Sequence, residues 1–300
     1  MLKIAWAPIY NHPLPEGHRF PMEKYELLPR QLVHEGVVDE SAFFSPRKLE
    51  EFEILKVHEY TYWRKLLTLD LTRQEERRSG FPISQQLVER EITINGGTLQ
   101  CAEYALEWGV AMNIAGGTHH AYADRAEGFC LLNDIAIAAR HLIDNQLAKQ
   151  VLVVDLDVHQ GNGTARIFQD DPRVFTFSMH GAHNYPLKKE LSDLDIPLND
   201  GIKDDEYLSL LRQTLGDLID RVKPDFIFYQ SGVDILASDK LGRLGVSPEG
   251  CAERDLMVFE KMYEYGLPVV AAMGGGYSKD IKVILDAHAN TYRAAVQMYF

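Results

Sequence analysis

Cysteine is scarce in this 300-residue chain: Cys101, Cys130 and Cys251 are the whole supply, and no two form a CxxC pair. An odd, sparse set excludes a disulfide framework and fits a reducing compartment, so a cytoplasmic protein is expected. Positive charge is short as well. Lysine and arginine number 31 against 44 aspartates and glutamates, a net charge of −13, and no basic cluster exceeds two residues, as at Arg77-Arg78 behind two glutamates. Gripping a phosphate backbone takes a basic surface, so direct nucleic-acid binding is not expected. The overall field instead suits a cationic ligand such as a lysine-bearing peptide or a polyamine. No apolar run approaches the roughly 20 residues that span a bilayer, so no membrane association is expected. The first segment, MLKIAWAPIYNHPLPEGHRF, is broken by Pro8, His12 and Pro13 before a secretory h-region can form.

Repeats, low-complexity tracts and Ser/Gly linkers are missing too, and residues 1–300 read as one catalytic-size domain. What is present alternates. Short apolar, β-branched runs occur at KIAWAPI, VAMNIAG, QVLVVDLD, RVFTFSM, DFIFYQSG and LPVVAAMGGG, and amphipathic segments lie between them. Residues 45–110 read mostly as helix, including EFEILKVHEYTYWRKLL. Continuous apolar strands alternating with helices predict an α/β fold, with a single open, mostly parallel β-sheet and helices on both faces. In such sheets ligands sit outside the carboxyl ends of the strands. Five apolar runs end in unusual text there: DLDVHQGNG, GTHH, HGAHNYP, VDILASD and GGGY.

The run VLVVDLDVHQGNGT places Asp155, Asp157 and His159 two positions apart at the end of a buried strand. A buried charge needs a partner or a metal. If the segment stays extended, all three side chains share one side, and two carboxylates with an imidazole suit a catalytic zinc site. Asp234, at another strand end, offers a further ligand; the alternative is that the aspartates cap the following helix. His119 and His120 beside a metal would supply a base and an acid near neutral pH, or else serve structure. Tyr277, after three glycines, would donate to an oxyanion, or else simply close a turn. His58, among Tyr60, Tyr62 and Trp63, reads as structural, His180 and His183 as residues of a loop entering the site, and Cys130 as a small wall residue.

Assembled, these blocks resemble the zinc-dependent histone deacetylase family of the arginase–deacetylase superfamily, with the compact class IV-like and bacterial members nearest. The resemblance rests on YNHPLPEGHRFPMEKY, INGGT, GGTHHA with EGFCLLND, DLDVHQGNGT, SGVDILASDKLGRLGVS and MGGGY, in that order along most of the chain. It implies the arginase/deacetylase fold and hydrolysis of acetyl or other acyl groups from lysine side chains or related amines by a zinc-activated water. Zinc, or iron in its place, would be held by Asp157, His159 and Asp234. His119 and His120 would move protons, Tyr277 would polarise the carbonyl, and Asp155 and Asn162 would orient the two histidines. Gly128, Phe129, Tyr185, Leu241 and Gly275 would contact the substrate, an acylated lysine peptide or protein, an acylpolyamine or a small acylated amine. Potassium would sit on Asp155, Asp157, Ser178 and the carbonyls of His159 and Met179, and a second monovalent ion on the carbonyls of Phe168 and Val174. Arg19 falls where the family has an arginine lining an internal cavity behind the metal. Asn162 departs from the aspartate of many members, and an amide stabilises an imidazolium less than a carboxylate does. Two other readings remain: an arginase-like binuclear manganese hydrolase, for which VDILASD supplies one ligand before a long gap, and a catalytically silent binder of acylated ligands or partners.

Overall fold

The computed structural model describes residues 2–300. Its strands are β1 (Lys3–Ala5), β2 (Phe43–Phe44), β3 (Val110–Asn113), β4 (Val151–Asp155), β5 (Val174–Gly181), β6 (Leu194–Leu198), β7 (Phe226–Gln230) and β8 (Val269–Ala272). They form one sheet in the order β2-β1-β3-β8-β7-β4-β5-β6, with every pairing parallel. The helices are α1 (Lys24–His34), α2 (Glu51–Ile54), α3 (Tyr60–Thr68), α4 (Arg73–Ser79), α5 (Gln85–Trp108), α6 (Asp134–Asp144), α7 (Asn162–Phe168), α8 (Asp204–Val222), α9 (Pro248–Glu264) and α10 (Ile281–Tyr299). Every residue of β3, β4, β7 and β8 is buried, which is why these strands read as unbroken apolar runs.

The six apolar runs are all strands, and two further strands carry weaker text. β6, LDIPL, contains Pro197 and is mostly half-buried, tolerable because it lies at the sheet edge, where a missing ladder donor is harmless. β2 is a two-residue strand at the opposite edge. The run EFEILKVHEYTYWRKLL is not one helix. It breaks into α2 and α3 because the Glu59 N–H leaves the helical pattern to bond Ala123 O at 2.8 Å. His180 also departs from expectation: it lies inside β5, buried, in register with Pro197, whereas His183 is in the loop and exposed.

The chain moves outward from β4 to β5 and β6, then returns to lay β7 on the other side of β4 and β8 against β3. β3 and β4, consecutive in sequence, are therefore separated by β8 and β7. This reversal opens a crevice at the carboxyl ends of the central strands, the place where open α/β sheets bind ligands. Behind it, the buried Arg254 of α9 pairs with Asp255 and donates to Gly232 O at 2.6 Å and Ser231 O at 3.3 Å. Those bonds fix the loop that follows β7.

Candidate active site

β4 stops at Asp155, so the expected extended run through His159 does not form. Asp155 Oδ1 accepts the Asp157 N–H at 3.1 Å, and Asp157 Oδ1 accepts the His159 N–H at 3.0 Å. These two successive side-chain-to-backbone turns, rather than strand alternation, bring the residues together. Asp234, on the loop after β7, accepts the Val158 N–H on Oδ1 at 3.0 Å. Its Oδ2 stands 3.0 Å from His159 Nδ1, which also faces Asp157 Oδ1 at 3.1 Å. One atom from each of Asp157, His159 and Asp234 falls within 4.8 Å of the others, and all three residues are buried. Burial disfavours a charged His159, yet its bonds to Asp157 and Asp234 outweigh burial and lift it to about 10. Burial and the neighbouring Asp157 push Asp234 up to about 7. The cluster thus demands positive charge at its centre. Two carboxylate oxygens and one imidazole nitrogen are a donor set that zinc or iron accepts, so the residues fit a divalent metal. Gly275 completes the cradle: a Cβ there would lie 2.0 Å from Asp234 Oδ2, and its N–H donates to Asp157 Oδ2 at 2.8 Å.

His119 and His120 follow a turn after β3, Gly116-Gly117-Thr118. Asp134, buried at the start of α6, holds this turn by accepting the Gly117 N–H at 3.0 Å and both the N–H and hydroxyl of Thr118 at 2.7 Å. The two imidazoles lie 4.1 Å apart, centroid to centroid. His119 Nδ1 meets Asp155 Oδ2 at 2.7 Å, and His120 Nδ1 meets Asn162 Oδ1 at 2.6 Å. Burial works against charge on both rings, but Asp155 and Asp157 raise His119 while His119 and His159 help hold His120 well down. Tyr277 is buried, which with Asp234 and Asp157 keeps its phenol protonated far above neutrality. Its hydroxyl has no hydrogen-bond partner among the described residues and lines the pocket.

The pocket has a volume of about 330 Å³. His120, His159 and Tyr277 line its inner end, Gly128, Phe129, Tyr185 and Leu241 its walls, and Arg19, Arg77 and Arg78 also border it. Gly128 has φ of +54°, and a side chain there would strike His120 Cδ2 at 2.6 Å. A smaller cavity of about 40 Å³ is lined by Asp157, His159, Gly275 and Cys130, among others. Arg19 does not line an internal cavity behind the Asp157, His159 and Asp234 cluster as expected. It is exposed, with its guanidinium 5.0 Å from the centroid of Phe129. The buried cation in that region is Lys24, which donates to Gly274 O at 3.2 Å and which burial lowers to about 8. Asp155 and Ser178, expected around potassium, are register partners on β4 and β5; Ser178 Oγ lies 2.9 Å from His180 Nδ1. Met179 follows in β5, and Phe168 and Val174 sit at the end of α7 and the start of β5.

Three site residues escaped the reading of the sequence. Glu127 accepts from Asn162 Nδ2 at 3.2 Å and from the Tyr185 hydroxyl. Asp239 accepts the Leu241 N–H at 2.8 Å and the Tyr277 N–H at 2.6 Å, tying the rim to the tyrosine. Asp134 is the third. All three lie inside the quoted blocks EGFCLLND and SGVDILASDKLGRLGVS, but no spacing there singles them out.

An open parallel sheet carrying a three-donor cation cluster, a histidine pair and a tyrosine in one crevice defines a hydrolase of the arginase–deacetylase fold. Residues 18–292 match the histone deacetylase domain model, and the chain belongs to the histone deacetylase family. An uncharacterized protein of Picosynechococcus sp. is 45% identical over 296 residues, covering 99% of both chains. Histone deacetylase 2 of Arabidopsis thaliana is 32% identical over 92% of this chain and 74% of its own length. Type-1 histone deacetylase 1 of Dictyostelium discoideum is 30% identical, and the chain spans 56% of that longer relative. The crystal structure of an HDAC homolog complexed with SAHA superposes with a TM-score of 0.86 at 25% identity, covering 99% of this chain and 84% of the other. These relatives support a deacetylase-type hydrolase. No helix is long and apolar enough to cross a membrane among the described residues.

Proposed function

We propose that the protein hydrolyses the amide of an acylated amine, with an acyl-lysine side chain as the main substrate class. The observation that carries this reading is the convergence, at one pocket end, of His120, His159 and Tyr277. Asp157, His159 and Asp234 would hold zinc, or iron; when bound it supplies a polarising charge for the acyl carbonyl and lowers the pKa of water toward about 7. Phe129 and Tyr185 would flank the acyl-amine stem and exclude water from it. Burial with His119 and His159 keeps His120 neutral, and Asn162 holds its Nδ1 proton so that Nε2 is free to accept another, whereas Asp155 stabilises a charged His119 able to return one. Tyr277, its phenol protonated, donates to the oxyanion that develops on the carbonyl. Potassium beside Asp155 and Ser178, and a second ion near Phe168 and Val174, belong to the same proposal. The cluster of donors found among the described residues holds three ligands, which suits one ion rather than a manganese pair. The Tyr277 hydroxyl, left without a hydrogen bond among the described residues, and the paired histidines favour catalysis over silent binding. The test is turnover of acetyl-lysine peptides by the zinc-loaded protein. Intact peptides and no hydroxamate binding at full zinc occupancy would sink the reading.

A further inference from the structure

The chain as a whole is strongly acidic, yet the pocket is bordered by Arg19, Arg77 and Arg78 and by no aspartate or glutamate among its lining residues. All three arginines are exposed, and none takes part in an ion pair among the described residues. Arg77 Nε donates to Arg73 O, and Arg19 rests over Phe129. Glu127, next to the wall residue Gly128, forms no ion pair with them and is bonded instead to Tyr185, Asn162 and Arg125.

The arginines are also held in place relative to the pocket wall. The Gly128 N–H donates to Arg78 O at 3.1 Å, and the Phe129 N–H to Ser79 O at 2.7 Å. The end of α4 is thus stitched to the residues that would grip the acyl chain. Basic residues in the last turn of a helix are ordinary, because they complement the carbonyl end of its dipole, and that alone would account for Arg77 and Arg78. It does not account for Arg19, which arrives from a separate segment. An adjoining depression shares Arg19 and Tyr277 and adds Lys240 and Lys279 against a single acid, Glu23. Arginines from two parts of the chain border the pocket mouth itself, and two further segments bring Lys240 and Lys279 to the adjoining depression.

We infer that this mouth selects acyl-lysines flanked by acidic side chains, carboxylates meeting Arg19, Arg77 and Arg78, and disfavours polyamines and lysine-rich peptides. The inference rests on the deacylase reading for the identity of the scissile group. It reverses the cationic preference that net charge alone suggests, since like charges facing across an interface are disfavoured and opposite charges steer encounter.

Three labelled acetyl-lysine peptides with Glu/Asp, Gln/Asn or Lys/Arg flanks test it, alongside acetylputrescine as the polyamine probe. Binding is read by anisotropy, with unlabelled acetylputrescine as competitor, and turnover is read separately, in about 0.05 M and 0.5 M salt. The acidic peptide should bind about tenfold tighter than the basic one at low salt, a gap that narrows at high salt. The double variant Arg77→Glu/Arg78→Glu should invert the order, a gain for the basic peptide that misfolding cannot mimic. Equal, reversed or undetectable binding by the parent protein overturns the inference. If the acidic preference holds while no peptide is turned over, the deacylase reading falls and the anionic mouth stands; turnover without preference sinks the mouth alone.

Discussion

His120 Nδ1 lies 2.6 Å from Asn162 Oδ1, and what stands behind the amide sets the direction of that bond. Asn162 Nδ2 faces the acceptor-only carboxylate of Glu127 at 3.2 Å and the Tyr122 hydroxyl at 3.0 Å. The amide oxygen is therefore the atom left for the imidazole, and His120 must carry its proton on Nδ1. Nε2 is consequently unprotonated and faces the pocket. Asn162→Ala frees this tautomer choice. It should lower kcat by about 100-fold, the low end of what a positioned acid–base group contributes, with metal content unchanged. Glu127→Ala, which removes one of the two groups facing the amide together with the bond to the Tyr185 hydroxyl, should cost about tenfold. Steady-state kinetics with zinc analysis on both variants decides whether the chain from Glu127 to His120 works in that order.

Asp157, His159 and Asp234 concentrate two buried acids and an imidazole around a point where positive charge is required. Removing metal with a chelator should abolish activity and lower the melting temperature, and zinc should restore both. Where free metal stands about 1,000-fold above its Kd, binding adds about 4 kcal/mol to the folded state. Asp157→Ala should lose stoichiometric zinc by elemental analysis. Retention of one zinc per chain in that variant would show that the cluster has been misassigned.

Tyr277 offers a cleaner separation of chemistry from structure. Its backbone is anchored by Asp239, but its hydroxyl bonds nothing among the described residues. Tyr277→Phe should therefore leave the melting temperature and zinc content near parental values. An oxyanion donor of this kind is worth about 100- to 1,000-fold in kcat. A loss confined to KM would indicate a packing role instead.

The sheet was legible because its central strands are buried on both faces and so carry uninterrupted apolar text, as in VLVVD and FIFYQ. The candidate metal cluster and the histidine pair drew notice because ionisable groups at the ends of buried strands require a partner or a metal. The local reason for their convergence was not. Asp155, Asp157 and His159 meet through backbone-accepting turns beyond β4, and strand periodicity gave the right residues for the wrong geometry. Arg19 shows a second limit. Motif alignment fixes a residue's place in the chain, but whether its side chain turns inward depends on competing contacts, here stacking on Phe129 and burial of Lys24 nearby. Glu127, Asp134 and Asp239 act through hydrogen bonds to groups far away in sequence, and no periodicity encodes such pairings.

His58 supplies a pH-dependent prediction away from the catalytic cluster. It is buried, and its Nε2 accepts the Asn133 N–H at 3.0 Å, so only a ring with an unprotonated Nε2 fits. Burial lowers it from 6.5 to about 4. Between those values the unfolded chain binds a proton at this site that the folded chain refuses. Stability is therefore fully present above pH 6.5, declines as pH falls toward 4, and by that point has lost about 3 kcal/mol. His58→Gln keeps an acceptor for the Asn133 N–H but cannot titrate. Its denaturation midpoint should lie below the parent's at pH 7.5, by about 1 kcal/mol of imperfect packing, and the gap should close or reverse at pH 4.5. Urea denaturation of both proteins at pH 7.5, 5.5 and 4.5 measures the difference directly. Parallel curves across that range would mean that His58 holds its proton equally in both states, and that the bond to Asn133 does not keep it neutral.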